Sequence, residues 1–458
     1  MKSTDLFKIA LLMTLILSFT VVVSGQVDDT VRYNQYGMKV SRNPLNAEAR
    51  NGILVFESKD QNYKIWYDAR VQVDGGMFFG DTYNPIGNGT SIRRARFAVK
   101  SEFARGWYAE LDMDISNSEL EIKDALLEKM IGDHFSLRAG NFKEGFSIET
   151  TTTSRYLSFI ERANVAATFG PSRHIGVDAT YNKNMIFATT GLFFQEIGGL
   201  EERVFSEDNN KDFGTDEGYS LTGKLVLMPG HSNPDAGLHL GVAGSYRTPK
   251  TDSEIAGAVR YSTRSLTSIN RKKYMDTDLI TGVDHTILTG LEFAAYLNQF
   301  RLQAEYIGAS VSYLDESKSG EKFNGFYVFG SMLLFGGKYN YNTREAEFTQ
   351  PRRGKDWGDI ELALRYDYLN LNSSMDGIMG GAGEGYTLGL NYHANDNVKV
   401  MLNYAYMNHD RYASGKNKLF VGYDLDGNLT KDPKNVADSM GKAGEDFSML
   451  LIRFEVDF

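Results

Sequence analysis

From about residue 63 to its last residue the chain keeps a rhythm of two, apolar then polar, and few architectures tolerate that pattern for so long. In "YKIWYDARVQVDGG", starting at Tyr63, the apolar set is Ile65, Tyr67, Ala69, Val71 and Val73. Lys64, Trp66, Asp68, Arg70, Gln72 and Asp74 fill the opposite face. Alternate side chains of a β-strand point to opposite faces, so each such run reads as a strand with one apolar and one charged side. "IRRARFAVKSEF" and "WYAELDMDI" repeat the pattern and are joined by only "ARG", a tight hairpin in which Gly106 supplies the permissive backbone. The rhythm returns in "IGVDATY", "NMIFATTGLFF", "GLHLGVAGSYR", "FRLQAEYIG", "NGFYVFGSMLLF", "DIELALRYDYL", "GYTLGLNYHA" and "VKVMLNYAYM". It ends in "MLLIRFEVDF", where Leu450, Ile452, Phe454, Val456 and Phe458 form one stripe.

A soluble sandwich also alternates, so the environment of the apolar face has to be argued separately. The polar face here is heavily charged in strand after strand. Aromatic residues gather near strand ends (Trp66 and Tyr67, Phe78 and Phe79, Trp107 and Tyr108, Tyr366 and Tyr368), as membrane interfaces favour. Short turns such as "NDN" at 395–397 alternate with long polar stretches such as "GGLEERVFSEDNNKDFGTDEG". Together these features favour a closed antiparallel transmembrane β-barrel, because lipid offers an open sheet edge no hydrogen-bond partner. The terminal stripe then belongs to the strand that closes the barrel against the first. Roughly 400 residues at about 25 per strand and connection give about sixteen strands, enough to enclose water. The competing architecture is a surface β-protein that is no channel: an adhesin, a ligand-binding sandwich or a plugged barrel.

The ends and the composition set further bounds. Lys2 and Lys8 precede or interrupt the start of the apolar run Ile9–Val23, followed by Ser24 and Gly25, the layout of a secretory signal over residues 1–25. Residues 26–60 are a polar lead-in on the periplasmic side with a short strand at "GILVFES", and the barrel occupies 61–458. The chain has no Cys, which excludes disulfides, thiol catalysis and thiolate metal sites. Its net charge of −10 argues against general nucleic-acid affinity.

Motifs for chemistry are weak. "GYSLTGKL" matches a phosphate-loop spacing but puts Leu225 where Ser or Thr must hold magnesium, and it lies in an alternating strand. "YDLDGNLTKD" places its Gly too early for a calcium loop. The acidic loop "EDNNKDFGTDEG" reads as solvated, the seven His are scattered, and no G-x-S-x-G elbow occurs. No catalytic residue, metal site or cofactor is assigned.

The blocks "RRARFAVKSEF", "RAGNFKEGFSIE", "TSRYLSFIERANVAATFGPSRHIGV", "WGDIELALRYDYLNLN", "YTLGLNYHANDNVKVMLNYAYM" and "IRFEVDF" resemble the phosphate-selective porin O/P family, in the family's order. The resemblance implies a sixteen-stranded barrel in the outer membrane of a Gram-negative bacterium, homotrimeric, among lipid and lipopolysaccharide, passing small anions such as phosphate by diffusion. It also implies a constriction built by an inward loop and basic wall residues. The matching candidates are Arg94, Arg96 and Lys100 on the first hairpin, with Lys143, Arg155, Arg162 and Arg173 in or beside the loop. Gly145 stands where members often carry Pro, and many carboxylates share the inward face, so general anion preference is the expectation ahead of phosphate specificity. Arginine suits the task because it stays charged and offers a planar fork to oxyanions.

Overall fold

The computed structural model describes residues 32–458, apart from 42, 51, 81, 117–119, 198–216, 251–254, 256, 270–271, 374–376, 411–418 and 438–444. The signal segment and the acidic loop "EDNNKDFGTD" lie outside the described residues. Residues Arg32–Tyr33 and Lys39–Val40 pair with each other as a small unit of their own.

Sixteen long antiparallel strands form the barrel wall. In order they are β1 (Tyr63–Phe79), β2 (Gly89–Phe103), β3 (Trp107–Asp114), β4 (Glu121–Ile131), β5 (Phe135–Lys143), β6 (Arg173–Lys183), β7 (Ile186–Phe193) and β8 (Ser220–Leu227). They continue as β9 (Ala236–Arg247), β10 (Val283–Leu297), β11 (Phe300–Tyr313), β12 (Glu321–Leu333), β13 (Asp359–Ser373), β14 (Ile378–His393), β15 (Val398–Asp410) and β16 (Phe447–Asp457). Each strand pairs with its sequence neighbours, and β16 closes on β1 from Ser448 opposite Phe79 to Asp457 opposite Arg70. Phe458 continues the seam by exchanging backbone hydrogen bonds with Ala69 at 2.6 and 2.9 Å. The terminus therefore cannot fray. Ile53–Ser58 adds to the first part of β1, with Val55 opposite Trp66.

Side chains sort as the alternation demands. In β1, Tyr67, Val71 and Val73 are exposed on the outside, and Asp68, Arg70, Gln72 and Asp74 are buried inside. In β16, Phe454, Val456 and Phe458 face out, Leu450 and Ile452 are half-buried on the same face, and Arg453 and Glu455 are buried within. The outer face is apolar because hydrocarbon is its solvent.

Two expectations need correction. Of the aromatic pairs placed at the interfaces, Trp66 and Tyr108 pack on each other at a tilt on the inward face (centroids 6.0 Å), and Phe78 packs inward on Phe447 (6.1 Å). Their partners in sequence, on the other side of the pleat, face out. An outer aromatic belt does run across neighbouring strands through Phe326, Tyr366, Tyr386 and Tyr406. Second, the rim of short turns (104–106, 132–134, 184–185, 298–299, 394–397) also carries the long connection 334–358. That connection is a hairpin, Lys338–Asn342 with Glu347–Arg352, folded into the barrel mouth. Its Phe348 is buried against Tyr339 and Tyr341, and the Arg301 guanidinium lies 3.8 Å from the Phe348 ring centre.

A candidate permeation site on the barrel wall

The connection between β5 and β6, residues 144–172, is the main inward insertion. Glu144 anchors its start: the carboxylate accepts hydrogen bonds from Arg247 (2.8 Å) and Ser220 (3.2 Å) and contacts His174 at 2.7 Å. Ser147 then caps a single helical turn, α1 (Ile148–Thr151), by accepting from the Thr150 backbone N–H at 3.1 Å. A second short helix, α2 (Asn164–Phe169), follows. Between them the chain crosses the lumen and is tied to the far wall. Ser158 donates to Glu361 (2.6 Å), Asn403 accepts from the Ile160 N–H (2.8 Å), and Asn164 donates to Asp367 (2.7 Å).

This insertion divides the interior. Phe146, Phe159, Val165 and Phe169 pack with Ile307, Val311, Phe323, Phe329, Leu369 and Leu371 into one buried cluster against β11–β13. That half of the barrel is dry. Along β2–β6 some inward side chains remain open to water, Arg138 being 31 %, Lys123 26 % and Lys100 22 % exposed at the side chain, while others such as Arg94, Asp114 and Asp178 are buried. A cavity of about 990 Å³ opens at the turn rim, lined among others by Lys64, Trp66, Arg155 and Lys399.

The seven basic candidates fall into two groups. Four are ion-paired. Arg96 meets Asp114 at 3.1 Å and Asp112 at 3.5 Å, Lys100 meets Asp68 at 3.2 Å and Glu110 at 3.4 Å, and Arg173 grips Asp124 at 2.7 Å. Arg155 pairs with Asp68 near the turn rim, with Asp457 at 3.8 Å. The other three are held by uncharged acceptors. Arg94 donates to the Gln72 side-chain oxygen at 2.7 Å. Lys143 donates to the carbonyls of Thr151 (2.8 Å) and Thr152 (3.4 Å). Arg162 donates to the carbonyls of Glu149 (2.7 Å), Thr152 (2.7 Å) and Thr150 (3.4 Å). Lys143 and Arg162 thus converge on the carbonyl end of α1, which favours cations. Among the described residues none of these three has a carboxylate ion-pair partner.

One residue was hidden from the alternation. Strict alternation sends Arg93 to the lipid face, but β2 carries a bulge where Gln72 and Val73 oppose Arg94 and Ile92. The extra residue turns inward. Arg93 grips Glu161 through two bonds, 2.6 and 3.2 Å. Arg453, fully buried, reaches the same Glu161 at 3.2 Å, the Ile160 carbonyl at 2.6 Å and both oxygens of Asp74 at 2.7 Å. Burial alone would raise the Glu161 carboxyl, yet Arg93 and Arg453 hold it well below the usual carboxylate range.

A closed sixteen-stranded barrel with an apolar exterior, a charged interior and an inward loop defines an outer-membrane channel of Gram-negative bacteria. The chain belongs to the family described as phosphate-selective porin O and P, whose model matches residues 65–426. It is 23% identical over 385 residues to Porin O of Pseudomonas aeruginosa, covering 77% of this chain and 85% of that protein. It is 26% identical over 364 residues to an uncharacterised protein of Caulobacter vibrioides, covering 77% and 70%. Its fold matches the trimer form of OmpT, an outer membrane protein of Vibrio cholerae, with TM-score 0.51 at 11% identity, covering 86% of this chain and 99% of that one.

Proposed function

We propose that the passive diffusion path follows the β2–β6 wall and favours small anions in general over phosphate in particular. The supporting observation is that Lys143 and Arg162 are held by backbone carbonyls, sharing that of Thr152, with no carboxylate ion-pair partner among the described residues. The remaining wall cations, Arg94 apart, are matched by carboxylates and add little net field. Rings of fixed charge set selectivity in a pore, and an oxyanion entering here meets donors without having to displace an acid. The rim of short turns faces the periplasm in this reading, the lead-in lies on that side, and the loop rim meets lipopolysaccharide. The assembly is taken to be a homotrimer, as the family resemblance implies. No catalytic role is assigned to any residue.

The test uses Lys143→Gln, which keeps a donor for the α1 carbonyls and removes the charge. A unit charge about 6 Å from a permeant ion in a water-filled passage contributes about 0.7 kcal/mol, hence about a threefold fall in anion permeability. Purified protein in planar bilayers under a salt gradient should show a reversal potential moved toward the cation side. An unmoved potential would take Lys143 out of the mechanism, and absence of steady conductance in the parent protein would remove the pore reading itself.

A further inference from the structure

On the outer face, near the rim of short turns, five strands place large and small residues by turns in one lateral row. Leu238 of β9 stands opposite Ala295 of β10, and Ala295 opposite Leu302 of β11. Leu302 in turn faces Gly330 of β12, and Gly330 faces Leu364 of β13. The three leucines are exposed, so Ala295 and Gly330 are notches between raised walls. A methyl group placed on Gly330 would meet only the Arg301 carbonyl, at 3.9 Å, so that notch is open. These residues line a groove of about 1010 Å³ whose rim end is the turn after β8, at Asn233. Sites that hold small organic ligands commonly enclose about 300–1,000 Å³.

Two features say what fills the groove. Trp357, Phe335 and Tyr392 are exposed together at this rim, Trp357 packing on Phe335 at 4.9 Å and on Tyr392 at 6.3 Å. Such aromatic residues sit at headgroup level, so the groove runs from that level into the hydrocarbon layer. At the same end Asp235, two residues beyond Asn233, takes Lys338 at 2.5 Å and Arg352 at 2.7 Å. Two cations on one carboxylate leave a positive surplus, and both stay accessible, 39 % and 49 % exposed at the side chain. Arg352 commits only its Nη2, which leaves the rest of its fork for phosphate oxygens. An apolar slot beneath a cationic rim complements a lipid, with dispersion contacts along the chain and charge-assisted hydrogen bonds at the head. We propose that the groove holds one glycerophospholipid of the periplasmic leaflet, an acyl chain lying over Ala295 and Gly330 and the phosphate at Arg352 and Lys338. The choice of leaflet rests on the reading above that the rim of short turns faces the periplasm. Lys338 and Arg352 pair with each other as the base of the rim hairpin, so the bound phosphate also braces that hairpin.

Native mass spectrometry of the folded full-length protein, released from detergent micelles containing phosphatidylglycerol, reads the adduct directly. The parent should keep one lipid per chain after looser adducts have been stripped. Gly330→Leu fills the notch and should release its lipid together with the loose ones. Arg352→Gln removes a cation beside an anionic headgroup and should weaken retention about fivefold. Val177→Leu, a change on the exposed outer face of β6, should match the parent. Retention unchanged in either Gly330→Leu or Arg352→Gln would overturn the site, as would a preference for lipid A over phosphatidylglycerol. If Gly330→Leu lacks the heat-modifiable gel mobility of a folded barrel, Ala295→Leu takes its place with the same outcomes. No conductance is measured, so the site can fail while the pore reading stands, and the reverse.

Discussion

Two stretches of one wall are built by the same rule and end in opposite states. Along β11–β13 the inward positions Ile307, Val311, Phe323, Phe329, Leu369 and Leu371 are covered by the insertion and reach burial typical of a soluble core. Even the polar groups there, such as Glu361 and Asp367, are spent on fastening Ser158 and Asn164. Along β2–β6 the inward positions are charged, paired across strands and partly wet. Alternation decides only which side of the sheet a residue occupies. What covers the inward side decides whether that face is a core or a passage, and the insertion covers one side only.

The comparison breaks most readily at Phe329. Its ring meets Phe159 of the insertion at 5.4 Å and stacks near Tyr327 at 6.0 Å, so Phe329→Ala leaves a void where relaxation is limited. The expected loss is about 3–5 kcal/mol, read as a lower midpoint in the heat-induced mobility shift. A loss near zero would mean that the dry half is not packed as described. On the wet half, Arg138→Ala removes a side chain 31 % exposed whose pair with Glu128 spans 2.8 Å. Screened pairs of this kind contribute about 0.2–1 kcal/mol, so the same assay should barely move. If the two substitutions cost alike, the distinction between the halves falls.

Much of this was legible in the sequence, and the failures have definite causes. The side of each strand was readable because a period of two survives any strand length, and the seam at Phe458 followed from the need to satisfy sheet edges. Arg93 was not readable, since a bulge is a property of the partner's register and leaves no mark in "IRRAR" itself. The dry half gave a faint signal: "YIGASV" and "FNGFYVFG" carry apolar residues at inward positions where a watery lumen wants charge. Ile307, Val311, Phe323 and Phe329 are the residues in question. The hairpin 338–352 was missed because its alternation is brief and it sits on the rim where turns are short. As for the seven basic candidates, their types and their inward placement were readable. Whether an arginine meets a carboxylate or a carbonyl depends on contacts across the lumen, which is why Arg162 and Arg155 read alike in sequence and differ in space.

The seam between the halves offers the finest test, because Glu161 of the insertion is gripped there by Arg93 of the wet wall and Arg453 of the closing strand. A carboxyl held below its ordinary value stabilises the fold at pH above about 4.3, its value in the unfolded chain, and loses that contribution only as pH falls through the lower folded value. The stability difference between the parent and Glu161→Gln should therefore stay constant from pH 7 to pH 5. It should shrink only in stronger acid, when the parent's carboxyl takes up its proton and becomes as neutral as the amide. A difference that already declines near neutrality would show that Arg93 and Arg453 do not hold the acid, and that the insertion is fixed to the dry side alone.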